Sequence, residues 1–199
     1  MKMKKMIMAV ALAAATAAGY AQNEPETMTI QPKGGFGLAT LTNVPKAEMA
    51  GVGMFGGELE YALNEKLSIG AGINFDMLGY SIEDTEGIKD WYTNMNYLAL
   101  PAVANFYIWK GLALKAGLQP GFLLSAKESY KLNGDKHETT VTSSFNKFDL
   151  SIPIGISFEF SRVVIDARYL LGLTKVNKEG DKTCHNSVIL ITTGYKFKL

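Results

Sequence analysis

The sequence predicts an all-β protein, an eight-stranded antiparallel up-and-down transmembrane β-barrel, and three observations carry that prediction. The first is the segment FDLSIPIGISFEF at 148–160. Phe148, Leu150, Ile152, Ile154, Ile156, Phe158 and Phe160 share one parity, and Asp149, Ser151, Pro153, Gly155, Ser157 and Glu159 share the other. Successive side chains of a strand point to opposite faces, so this is one strand with an apolar side and a polar side. Its thirteen residues suit a tilted strand that crosses a bilayer and projects beyond it. The second observation is that the polar parity is also small, as in Ser68, Gly70, Gly72 and Asn74, or Gly117, Gln119 and Gly121. A solvent-facing sheet favours Lys, Thr and Glu, whereas the lumen of eight strands has little room. The third is that short and long connections alternate, the asymmetry of outer-membrane barrels, whose long loops face out of the cell.

The elements follow in order. Lys2, Lys4 and Lys5 precede an apolar run from Met6 to Ala18, and Gly19-Tyr20-Ala21 places small residues at a cleavage site. This is the pattern of a signal peptide over 1–21, and without a cysteine at the junction lipoprotein anchoring is not expected. No later apolar run approaches the ~18 residues that a membrane helix needs, so crossing falls to strands. A polar linker, 22–32, leads into the barrel domain, 33–199. Segments of period two fall near 33–43, 52–63, 66–80, 92–109, 111–130, 139–160, 162–174 and 187–198. An even number returns both ends of the wall to the same side of the membrane.

Asn64-Glu65, Lys110-Gly111 and Ser161-Arg162 read as tight turns, and longer polar connections run over 44–51, 81–91, 130–139 and 175–186. The third of these contains Asn133-Gly134, a favoured hairpin pair, so strands five and six are expected to continue above the membrane as a ribbon. Leu100-Pro101, Gln119-Pro120 and Ile152-Pro153 each remove a ladder hydrogen bond and mark bulges or bends.

A soluble sandwich or a lipocalin-like barrel would also alternate. Against it stand the small lumenal parity, the apolar parity in nearly every strand (Leu67, Ile69, Ala71, Ile73 and Phe75, for example) and the placement of the aromatics. Tyr61, Phe106, Trp109, Phe160, Tyr195 and Phe197 gather toward the short turns; Trp91, Tyr92, Tyr97, Phe122 and Phe148 lie nearer the long loops. Two such girdles fit the two membrane interfaces. In the last strand Ile189, Ile191, Thr193, Tyr195, Phe197 and Leu199 share a face, an aromatic-rich ending that resembles the signal read by the barrel-insertion machinery.

If the apolar parity faces lipid, then Glu58, Glu60, Asp76, Lys115, Asp149, Glu159, Asp166, Arg168 and Lys196 face the lumen. Unpaired charges in so narrow a space are costly, so a compensating network is expected. Heights along the strands suggest Arg168 or Lys115 against Glu58 or Glu60, and Lys196 near Glu159. Such a network reads either as a plug that closes the barrel or as an ion or proton path, and eight strands favour the plug.

Without the three leader lysines the chain carries 17 basic and 19 acidic residues, and no basic stripe that would neutralise phosphates, which argues against nucleic acid. The lone Cys184 cannot form an internal disulfide; it is a spectator thiol or an intermolecular bridge. Cys184-His185 is the one adjacent pair of soft ligands, and neighbours seldom converge on one ion, so no metal or other cofactor is expected. His137 with Ser143 or Ser144 would be the one conceivable base and nucleophile, at the outer rim, as in a lipid-modifying enzyme. Solvated loop residues are the plainer reading.

The segments YLALPAVANFYI (97–108), GLALKAGLQPGFLLSAK (111–127), DLSIPIGISFEF (149–160), ARYLLGLTKV (167–176) and GYKF (194–197), in this order, resemble the PorT-like outer-membrane β-barrel domain family of Bacteroidota. The resemblance implies fold and location, an outer-membrane barrel similar to small OmpX- and OmpA-type proteins, and brings no catalytic residues. The expected protein is thus a monomeric, non-enzymatic barrel of a Gram-negative outer membrane. Its surroundings would be outer-membrane lipids and lipopolysaccharide, and its long loops would contact an envelope or extracellular protein. Trp91, Tyr92, Tyr130 and His137 are the candidate exposed contacts at the outer rim. A narrow pore for ions or small solutes is the alternative.

Overall fold

The computed structural model describes residues 24–84, 88–132, 134–178 and 182–199. The strands are β1 (Met28–Leu41), β2 (Ala47–Glu48), β3 (Ala50–Asn64), β4 (Leu67–Ile82), β5 (Ile88–Ala99) and β6 (Ala102–Trp109), then β7 (Leu112–Leu132), β8 (Asp135–Thr140), β9 (Phe148–Phe160), β10 (Val163–Gly172), β11 (Asn186–Tyr195) and β12 (Phe197–Lys198). The expected leader, 1–21, and Asn133 of the expected hairpin turn lie outside the described residues.

Among the described residues these strands pair antiparallel in one sheet, in the spatial order β1, β3, β4, β5, β7, β9, β10, β11. β11 pairs back to β1 from Lys33↔Gly194 to Leu41↔Asn186, so the sheet closes on itself. β6 prolongs β5 between β4 and β7, and β12 prolongs β11 along β1. The wall therefore has eight staves, while β2 and β8 add to the upper ends of β4 and β7.

Alternation decides which side chains meet lipid. Phe36, Phe55, Ile73, Ile154, Ile165 and Ile191 stand exposed on the outside, while their chain neighbours Asn74, Asp166 and Thr192 are buried inside. A contiguous apolar band of this kind, wrapped around a polar interior, is the inverse of a water-soluble surface. The tight turns are built locally. Asn64 Oδ1 accepts from the amides of Lys66 and Leu67, both at 2.9 Å, and Gly111 takes a φ of 74° that its lack of a side chain permits.

Several boundaries differ from the sequence reading. The first stave begins at Met28 rather than 33, with Met28 opposite Tyr61, so part of the expected linker is wall. Its inner residues there are Gln31 and Lys33 and its outer row is interrupted by Pro32, which hides the alternation. The fourth stave is broken at 100–101, where Leu100 N donates to Pro120 O at 2.8 Å and Pro101 O accepts from Gly72 N at 2.9 Å. The sixth begins at Phe148, not 139. Between β8 and β9 the Thr142 hydroxyl takes the place of ladder bonds, accepting from Ala126 N at 2.9 Å and donating to Ala126 O at 3.3 Å.

The lumen has two zones. Toward the short turns it is charged, as expected. Toward the long loops it is apolar: Leu41, Met54, Leu78, Met95, Tyr97, Leu123, Leu170 and Leu190 pack together, and Phe145 and Val176 reach into the cluster from the loops above. The sequence reading missed this zone because both parities are apolar there, as in Tyr169-Leu170-Leu171 and Ile189-Leu190-Ile191. Tyr97, assigned to the outer girdle, is 2% exposed and belongs to this plug.

Candidate functional site

The lower lumen holds a continuous ionic chain. Glu58, only 1% exposed, bonds Lys33 through Oε2 and faces Lys115 through Oε1 at 3.4 Å. Lys115 Nζ lies 3.2 Å from Asp166 Oδ2, and Arg168 Nε donates to Asp166 Oδ1 at 2.6 Å. Nearer the short turns, Lys196 sits between Glu159 at 2.6 Å and Glu60 at 2.9 Å, with Ser68 and Tyr107 also donating to Glu60. Asp76 accepts from Gln119 Nε2, and Asp149 from the Thr174 hydroxyl, each at 2.9 Å. All nine lumenal charges named from sequence are thus placed inside. Arg168 meets Asp166 rather than a glutamate, and Lys33, at the start of the first expected strand but not assigned to the lumen, joins as a tenth charge.

Small residues give these long side chains their space. A Cβ built on Gly155 would stand 2.4 Å from Ala167 O and 2.9 Å from Arg168 Cα, so only glycine admits this close approach. At the junction of the two zones, between Asp76, Gln119, Asp149 and Leu170, lies a void of about 10 Å³. That is at the limit for one water molecule. Ion pairs below and packed side chains above fill the interior, with Asp76 and Asp149 held between them by neutral hydrogen-bond donors.

At the outer rim β5, β7 and β8 rise together as a three-stranded ribbon, with Thr93↔Glu128 on one flank of β7 and Tyr130↔His137 on the other. β7 has 21 residues, about ten more than a bilayer crossing requires. Along one face of the ribbon Trp91 and Tyr130 lie with ring centroids 5.4 Å apart, and Tyr130 stacks on His137 at 5.4 Å. Tyr92 has the opposite parity and donates its hydroxyl to Gly51 O at 3.3 Å. These residues were expected to be exposed; only His137 is, and the other three are half-buried because cross-strand ring contacts and the neighbouring β3–β4 edge cover them. Asp90 and Lys131 tie β5 to β7 at 2.7 Å. The hydrogen bond and charge of Lys131 hold the Asp90 carboxyl below its ordinary range.

The remaining candidates do not assemble a reactive centre. His137 stacks on Tyr130, while the Ser143 and Ser144 carbonyls accept from Lys178, and no hydrogen bond joins His137 to either serine among the described residues. Cys184 is buried, with Sγ 3.8 Å from Lys182 O, so the intermolecular bridge lacks an accessible thiol. Burial also pushes that thiol above its ordinary range. His185 turns elsewhere, with Nδ1 2.9 Å from Thr174 O.

Residues 20–178 match the family described as outer membrane protein beta-barrel domain. Among solved structures, the attachment invasion locus protein Ail of Yersinia pestis is 17% identical with a TM-score of 0.53, covering 87% of this chain and 100% of its own. Ail in complex with the heparin analogue sucrose octasulfate gives 16% identity and a TM-score of 0.52, over 86% of this chain and 99% of its own. Neisserial surface protein A is 16% identical with a TM-score of 0.49, over 85% of this chain and 97% of its own. No curated protein is similar to the chain in sequence. Likeness at these identities is likeness of fold. The closed barrel, its lipid-facing apolar band and the match over most of its length together make this chain a member of the outer membrane protein beta-barrel domain family, resident in the outer membrane of a Gram-negative bacterium.

Proposed function

We propose that this barrel is a non-enzymatic envelope protein whose ribbon engages a protein partner at the cell surface. The single observation that carries the proposal is the three-stranded ribbon with its row Trp91, Tyr130 and His137, raised past the membrane above a filled lumen. A rigid wall that holds ordered aromatic side chains clear of the bilayer is a scaffold for contact rather than for transport. Within the family, the order of the segments quoted above supports a place among the PorT-like barrels. The girdles suit contact with lipopolysaccharide and phospholipid, and the aromatic closing strand suits recognition by the insertion machinery.

Deleting residues 131–138 tests the proposal. Cells that display the shortened protein should lose partner capture while the boiled and unboiled forms still migrate apart on gels, as a folded barrel does. Full capture by this variant, and by variants shortened in each other long loop, would refute it.

A further inference from the structure

We propose that a second copy of this chain, carried by a facing membrane, adds to the ribbon along the outer edge of β8. This names a partner for the ribbon and rests on the reading of the ribbon as a contact element. Among the described residues β8 pairs only with β7, and all six of its residues, Asp135–Thr140, are exposed. Its second edge is therefore open. The hydrogen bonds of β7 show which backbone groups line that edge. Ala126 turns both of its groups to the chain that follows β8, donating to Thr142 Oγ1 and accepting from Val141 N, each at 2.9 Å. Backbone groups alternate sides along a strand, so Glu128, Tyr130 and Leu132 also turn theirs toward β8. Their partners Thr139, His137 and Asp135 face β7, which leaves the groups of Lys136, Glu138 and Thr140 pointing outward.

Symmetry and charge then select the occupant and its register. Edge strands are commonly guarded by charge, and β8 is charged, but with both signs. Two identical edges that pair about a two-fold axis set one residue opposite its own copy. Centring on Lys136 or on Glu138 would put like charges face to face. Centring on His137 instead sets each Lys136 opposite Glu138 of the other copy, so both charge pairs are complementary. In that register the outward backbone groups of Lys136 and Glu138 join in ladder bonds, the usual source of affinity in strand addition. The row Trp91, Tyr130, His137 then continues into the same row of the second copy. Such a two-fold makes the paired strands antiparallel. Barrel strands tilt about 35–45° from the barrel axis, so two β8 strands in one membrane diverge by at most roughly 90°. Only an inverted copy, in a membrane facing the first, presents its edge in the required direction.

Clustering of phospholipid vesicles that carry the mature barrel, followed by light scattering, tests this. Wild-type vesicles should cluster. Lys136→Glu alone and Glu138→Lys alone should each leave vesicles dispersed, because each sets like charges opposite one another. Mixing the two populations should restore clustering, since every pair between them again joins Glu to Lys. Dispersed wild-type vesicles, wild-type clustering by either single variant, or a mixture that stays dispersed would overturn the proposal. Partner capture on cells keeps the broader reading separate. Dispersed wild-type vesicles together with capture that still depends on residues 131–138 refute the self-pairing alone, and capture that survives the shortening of every long loop in turn refutes both.

Discussion

Lys33 and Lys115 approach Glu58 in a space hardly larger than the three side chains themselves. Replacing Glu58 with Leu would leave two ammonium groups buried without their shared carboxylate. Breaking a buried pair typically costs ~3–5 kcal/mol, so Glu58→Leu should lower the urea midpoint in lipid vesicles by an amount of that order. Adding Lys33→Met should recover part of the loss, because it removes one stranded charge. Cys184 makes a prediction of the opposite kind, one of inertness. Its thiol is buried and its pKa is pushed up by that burial, so the reactive thiolate is scarce near neutral pH and increases only as pH rises toward the raised value. Maleimide should label it much more slowly than a cysteine placed next door by Thr183→Cys with Cys184→Ser, since Thr183 is exposed. Equal rates would show that the loop does not keep Cys184 buried.

At the scale of elements, legibility followed the physics of each face. β4 below Met77, together with β9, was plain in sequence because apolar lipid contacts alternate there with small or charged lumenal residues. Alternation disappears where the lumen turns apolar, so the plug around Leu170 and Leu190 could not be told from the outer wall. Near Pro32 it is masked by polar inner residues, and Lys33 was lost with it. Partners within the ionic chain depend on register around the closed sheet, which strand composition does not encode. The Gln31↔Glu58 pairing, for example, is what brings Lys33 diagonally to Glu58. Small lumenal residues, by contrast, were visible and have a specific use. Gly155→Val would force its side chain into Ala167 O and the Arg168 backbone, and strain of this kind typically costs ~1–3 kcal/mol. The variant should unfold at lower urea while keeping the ribbon intact; an unchanged midpoint would mean that β9 and β10 separate easily at that point.

For the whole molecule, the two zones of the lumen act in series. The lower half holds its charges in two clusters of ion pairs, Lys33, Lys115 and Arg168 with Glu58 and Asp166, and Lys196 with Glu60 and Glu159, while Phe145 and Val176 complete an apolar layer over the upper half. An ion would have to separate the pairs and also cross a dry layer, and either requirement alone opposes steady flow. This supports the proposal that function lies in what projects from the barrel rather than in what passes through it. The most direct test is conductance of the purified, folded barrel in planar bilayers. The sealed interior predicts no steady current in wild type. Stable open channels in wild type, altered by Glu58→Gln or Lys115→Met, would contradict the sealed lumen and return the barrel to the pores.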